Sequence, residues 1–342
     1  MEFEDYFIYL KHSGNINWNH TLKEIIFPMF MELNKRDLLN KKLKIILCLV
    51  WNPLILWEST FEMIFPNYQF EYCSIKTVKE KDMNLIINFY WPTSSYLRCP
   101  SEYNRNVCYR DIKLFTDYLD KIIPKPEKDI SYDIIIIKRI DKPGIKYYNV
   151  SEEDNHHLAG VPVKPEEAKY IINSDEMYKE ICRVYNHKKI LYVDLIELSF
   201  PERYHYFKNA EILIGQHGAA MVQALFIKPG RSVIEYTNLE YYREGCTKQI
   251  CHVNKIHYAY SLYEGRVFQA ITIDIPLLIK QIEYIYKCNR RIEYLETKID
   301  DDMIKQKYQT LLKDYQELRQ ENKSLKEEIT KLNSQLAIKK MI

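Results

Sequence analysis

The residues best suited to chemistry stand in one stretch, Glu211 to Tyr236, reading EILIGQHGAAMVQALFIKPGRSVIEY. An apolar strand from Ile212 to Ile214 leads into Gly215-Gln216-His217-Gly218, and the small residues Ala219 and Ala220 open an apolar helix. Pro229-Gly230 supplies a turn, and a second strand ends on Glu235. A strand, a glycine-flanked polar turn and a helix make a ready anion site. The first amides of a helix lack partners within it, and the helix dipole favours negative charge there. The sequence adds a histidine to that turn and a carboxylate after the next strand. Together they suit a phosphorylated ligand.

The surrounding pattern supplies a frame for these residues. Tyr132 to Ile137 is a strand whose continuous isoleucines imply burial on both faces. A helix near Ser174 to Asn186, a strand at Ile190 to Leu195 and a short helix at Pro201 to Lys208 follow, before the opening stretch begins. Strand alternating with helix argues for a parallel sheet. Arg139 ends the first of these strands, at the carboxyl edge where open α/β sheets bind ligands.

The N-terminal half reads as a second α/β layer. Its first segment is helical, with Asn19 as cap and Leu22, Ile25, Ile26, Met29 and Leu33 along one face. Pro28 should kink that helix and leave the carbonyl of Glu24 without its usual partner. Lys44 to Val50 and Asn84 to Phe89 read as strands, and Val107 to Ile123 as a helix. Pro124-Lys-Pro126-Glu-Lys reads as a linker.

The tail differs in kind. Leu311, Leu318, Leu325 and Leu332 recur every seven residues, with Tyr308, Tyr315, Asn322, Ile329 and Leu336 at the matching a positions. Leucine at d with one polar Asn at a favours a parallel, two-stranded coiled coil. Asp314 would face Arg319 of a second copy, and Glu321 would face Lys326, both attractive pairings. A homodimer through 304–339 is therefore expected. Ile292, Leu295 and Ile299 lie out of that register, which places a stutter at Asp300 to Asp302.

Composition narrows the classes. The 49 basic and 47 acidic residues leave a formal charge of +2, without the basic excess that nucleic-acid binding calls for. The start, MEFEDYFIYLKHSGN, lacks a basic region before an apolar run, and the apolar stretch from Ile45 to Trp57 is broken by Asn52-Pro53. The expectation is a cytoplasmic chain without a transmembrane segment and with reduced cysteines. Cys246, Cys251, His252 and His257 match no common zinc spacing and read as strand and loop residues. The string Asp300-Asp301-Asp302 sits at the root of the tail, so no metal site is expected.

The Glu211 to Tyr236 stretch resembles the signature of glycosyltransferase family 61, through His217-Gly218-Ala219, Pro229-Gly230 and Glu235. Trp18-Asn19-His20 leading to Glu24 and Phe27-Pro28 is similar to the family's first helix. Lys138-Arg139 followed by Lys146 and Asn149 is similar to its next strand and loop. The resemblance spans about Asn15 to Thr272 and leaves the tail outside. It implies a GT-B fold, two Rossmann-like domains facing a cleft, with the nucleotide held mainly by the second. The parts would be an acceptor-side domain at 1–127, a nucleotide-sugar domain at 128–290 and the coiled-coil tail at 291–342. It also implies inverting transfer without an obligatory metal or other cofactor.

Such transfer needs a stabilised diphosphate leaving group and an acceptor hydroxyl that loses its proton. Arg139, Lys146, Asn149, Gly215, Gln216, His217, Gly218 and Ala219 would bind the donor, with Glu235 reaching the ribose hydroxyls. The base would come from the first domain. His20 is the choice, because an imidazole titrates near neutral pH, and Glu24 would orient it or take the role itself. Asp111 and Asp117 remain alternatives as the base. The expected function is transfer of a hexosyl or pentosyl group from a nucleotide diphosphate, expected to be UDP, to a hydroxyl of a glycan or protein. The competing reading is an inert α/β scaffold assembled through its coiled coil.

Overall fold

The computed structural model describes residues 4–10, 21–49, 52, 54–74, 86–89, 109–126, 131–138, 145–152, 155–162, 170–265, 270–298, 310 and 313. Two compact units divide the chain, Met1–Gln281 and Ile282–Ile342. Both main sheets belong to the first unit. Of the heptad segment only Thr310 and Lys313 are described, and both are helical. The pairing expected for the tail lies outside the described residues.

The first sheet has four parallel strands: β1 (Glu4–Leu10), β2 (Leu43–Leu49), β3 (Tyr68–Ser74) and β4 (Ile86–Phe89), in the order β3-β2-β1-β4. This is the first half of a Rossmann-type order. Strand β1 precedes the first helix and lies inside the sheet, although the sequence reading began with that helix. The helix itself opens as a π-helix, Thr21–Ile26, and continues as α1, Phe27–Lys35, with Pro28 in its first turn. The helical register changes close to the proline, the residue that cannot donate to an earlier carbonyl.

Helix α2 (Leu54–Ile64) follows β2, and α3 (Tyr109–Ile122) buries Asp111, Ile112, Phe115 and Leu119. Phe115 meets Phe27 edge-on at 5.3 Å and Phe30 at 5.1 Å. Contacts of this kind add about 0.5–1.5 kcal/mol each beyond area burial. Tyr118 of α3 donates to the carbonyl of Ile64 at 2.6 Å, and burial pushes its phenol up to about 12.

The second sheet has five parallel strands: β5 (Ile134–Ile137), β8 (Ile190–Val193), β9 (Ile212–Gln216), β10 (Ser232–Thr237) and β11 (His257–Leu262). Their order is β11-β10-β9-β5-β8. Strands β5, β9 and β10 are buried at every residue, while edge strand β11 mixes exposed and half-buried residues. Strand β10 continues past Glu235 to Thr237. A separate antiparallel pair, β6 (Ile145–Glu152) and β7 (Asn155–Pro162), is inserted after β5.

Helix α4 (Ser174–Val184) leads to β8, and α5 (Phe200–Asn209) leads to β9. Ser199 and Glu202 cap α5 reciprocally, each side chain bonding the other's backbone amide, and Pro201 adds a preset first turn. Helix α5 also joins the two layers. Tyr204 is fully buried, and its one hydroxyl hydrogen is shared between the Thr116 carbonyl and the Asp120 carboxylate of α3, both at 2.9 Å. Lys208 pairs with Asp120, and His205 Nε2 lies 3.1 Å from the Pro124 carbonyl, so the expected linker begins under contact.

Past β10, α6 (Leu239–Glu244) and α7 (Cys246–Val253) precede β11, and α8 (Ile275–Lys298) follows it. The segment from Cys246 to Val253, read from sequence as strand and loop, is therefore helical. Gly245, with φ 65°, makes the left-handed break between α6 and α7.

Candidate functional site

In a five-stranded sheet of this order, chain-order strands one and three are neighbours, and the connections leave from them in opposite directions. Ligands bind in the crevice outside the carboxyl ends at such a switch point. Here those strands are β5 and β9. β5 runs into Lys138-Arg139 and β9 into His217, so the two candidate donor ligands follow the strands that flank the crevice. Arg139 itself lies outside the described residues, as does His20. Glu24, Lys146 and Asn149 have described backbone only. The last two are within strand β6, opposite Val161 and Leu158, instead of in a loop.

The turn after β9 depends on glycine twice. A Cβ on Gly215 would stand 2.7 Å from the Met221 sulfur, so a side chain here would displace the buried Met221 thioether. Gly218 has φ 154° and ψ −171°, a conformation open essentially to glycine. The expected apolar helix is a seven-residue 3₁₀ segment, Ala219–Leu225, whose Met221 amide returns to the Gly218 carbonyl at 3.0 Å. Its shortness leaves a small dipole, and the site's charge is supplied by side chains instead.

His217 is 8 % exposed, and its amide bonds the Tyr236 carbonyl at 2.7 Å. Its Nδ1 lies 2.9 Å from Glu235 Oε1. Glu235, 2 % exposed, is held by two further side chains: Thr247 donates to Oε1 at 2.5 Å and Tyr258 to Oε2 at 2.6 Å. Burial, then the Glu235 charge, pushes the Tyr258 phenol far above its ordinary range, so it remains a donor. An ionised carboxylate only accepts. With two hydroxyls already donating to Glu235, the hydrogen between it and the ring sits on His217 Nδ1. Nε2 is then the ring atom left for a ligand. Tyr241 of α6 packs on the imidazole at 4.4 Å, tilted 50°.

A cavity of about 540 Å³ opens just beyond the carboxyl ends of β10 and β11. Its walls come from Asn238, Leu239 and Glu240 on one side and Leu262, Tyr263 and Glu264 on the other. Asn238 frames it, accepting from the Tyr241 amide at 3.0 Å and donating to the Gly265 carbonyl at 3.2 Å. Helix α6 carries both Tyr241, which touches His217, and the wall residues Leu239 and Glu240.

The Glycosyltransferase 61 family model matches residues 18–234, well over half of the 342-residue chain. The chain belongs to glycosyltransferase family 61. It is therefore a glycosyltransferase, and membership decides against the inert scaffold. The match runs from Trp18 through the His217 turn and stops one residue short of Glu235. No curated protein matches the chain in sequence.

Within this transferase, the structure brings His217 and Glu235 together and sets Gly215, Gln216, Gly218 and Ala219 around them. Sequence reasoning missed Thr247, Tyr258 and Tyr241. Tyr258 alternates with Tyr260 along an edge strand, and Thr247 stands in the first turn of the helix after Gly245. Neither pattern says which carboxylate they meet. Cys251 is buried, while His252 and His257 are exposed, and among the described residues no cluster of His, Cys, Asp or Glu could hold a metal ion. On α3, Asp117 is paired with Lys113 at 2.6 Å, and Asp111 is buried in the first turn. No described helix is long and apolar enough to cross a membrane.

Proposed function

We propose that this family 61 glycosyltransferase moves a sugar from a nucleotide diphosphate donor, UDP-linked, to a hydroxyl of a glycan or protein with inversion. The observation that carries the proposal is the buried His217–Glu235 pair at the carboxyl edge of the second sheet. Cleavage of the donor leaves negative charge on the diphosphate, and preorganised donors aimed at that charge speed such reactions most. His217 Nε2, with the ring held from behind by Glu235, supplies one such donor when the imidazole is doubly protonated. Arg139, after the neighbouring strand, supplies the second. Lys146 and Asn149 belong to the same donor side.

The nucleoside fits the cavity beyond β10 and β11, whose walls combine Leu239 and Leu262 with the acceptors Glu240 and Glu264. About 540 Å³ is ample for a base and ribose. Glu235 is then a partner of His217 and leaves the ribose to the cavity. The acceptor's proton goes to His20, oriented by Glu24, on the facing layer of a GT-B arrangement. No metal is required by this scheme, because side-chain cations meet the leaving charge. The tail from 304 to 339 holds two copies together.

The test is hydrolysis of UDP-sugars without acceptor, screened over a panel of sugars. Turnover abolished by His217→Ala and by Arg139→Ala supports the proposal. A purified wild-type chain that binds no nucleotide sugar would sink it.

A further inference from the structure

We infer that Thr247 and Tyr258 are positioning residues for His217, acting through Glu235. The inference rests on the proposed role of His217 as the diphosphate ligand. Neither residue belongs to the His217 turn. Thr247 comes from the first turn of α7 and is 3 % exposed, and Tyr258 comes from β11. They reach Glu235 on β10, so the His217 turn, α7 and β11 converge on one carboxylate.

The division of its two oxygens is what matters. Oε1 accepts from both Thr247 and His217, and Oε2 from Tyr258. The terminal torsion of a glutamate is broad and roughly two-fold, so the side chain alone does not fix the carboxylate plane. Tyr258 pins one oxygen and Thr247 the other. Without the Tyr258 hydroxyl, Oε2 loses its donor while remaining buried, an unfavourable state that rotation of the carboxylate relieves. That rotation carries Oε1 away from Nδ1. Tyr241 packs on the ring at 4.4 Å with a 50° tilt, a contact less directional than the hydrogen bond at Nδ1.

UDP and uridine are the probes, measured by calorimetry on the full chain. His217→Ala weakens UDP and leaves uridine binding unchanged, because uridine lacks the diphosphate. Tyr258→Phe and Thr247→Val should each weaken UDP about tenfold, the scale of losses when a supporting partner is removed. Both should spare uridine and add nothing in the His217→Ala background. Thr247→Ser should bind like wild type. Equal loss of UDP and uridine, or a further loss in the His217→Ala background, would mean general damage and overturn the inference.

A second readout needs no ligand. In protein labelled at histidine, the Nδ1 proton of His217 should give a protected resonance, kept in Thr247→Ser and lost to water exchange in Tyr258→Phe. A resonance unchanged in both Tyr258→Phe and Thr247→Val overturns the positioning role. A chain that shows the resonance loss yet binds no UDP keeps that role and overturns the donor assignment.

Discussion

Glu235 Oε1 stands 2.9 Å from His217 Nδ1, although 18 positions separate the two in sequence. The contact arises because β9 and β10 are parallel neighbours with Gly215 opposite Glu235, so His217, two residues further on, curls back over the strand end. Replacing Glu235 by Gln tests what the contact does. The amide can present its NH₂ to the ring and reverse the hydrogen on Nδ1, leaving packing nearly intact. Donor hydrolysis should fall on the order of 100-fold, with thermal stability close to wild type. Unchanged turnover in a folded Glu235→Gln protein would remove the pair from the mechanism.

Gly215→Ala addresses the strand beneath the turn. Its Cβ would come within 2.7 Å of the Met221 sulfur, so the buried Met221 side chain must shift. Overpacking of this kind costs about 1–3 kcal/mol, and urea unfolding should register it together with weaker UDP binding. Shortening the obstacle with Met221→Ala in the same chain should recover part of both losses. If the double variant is worse than the sum of the singles, the steric account is wrong.

Asp120 predicts how the joint between layers responds to acid. Burial alone would raise its carboxyl, but the hydrogen bonds from Lys208 and Tyr204 outweigh it and hold the group below its ordinary value of 3.8. A depressed carboxyl contributes stability above its unfolded value and loses it as pH falls through the folded one. Asp120→Asn should therefore lower the melting temperature at pH 7. The gap to wild type should close as pH drops below 3.8. A gap that widens on acidification would contradict the sign.

The tail makes a separate prediction. A chain ended before Ile304 should be a monomer by light scattering and should still bind UDP with wild-type affinity. A dimer that survives the cut would place the association elsewhere.

Much of this protein was legible before any coordinates. The isoleucines of β5, the short helix read at Pro201 to Lys208 and the strand–turn–helix pattern around His217 are local signals, each decided within a few residues by burial, periodicity or backbone freedom. They sufficed for parallel α/β layers and for the family resemblance. Their reach ended where partners come from distant segments. Nothing near Glu235 announces that its oxygens are taken by Thr247, Tyr258 and His217, so a strand-end carboxylate reaching the ribose hydroxyls was the expectation for it. Strand β1 was missed for a related reason, since its place in the sheet comes from pairing with β2 and β4.

The sequence by itself determined which residue types stand at the sheet's carboxyl edge, because strand, turn and helix propensities act over short range. Only the tertiary structure decided their roles. Strand order brought β5 and β9 together at a switch point, and parallel register set Glu235 behind His217. Burial then obliged that carboxylate to find three donors. Those outcomes depend on which strands pair, a choice made by the whole core.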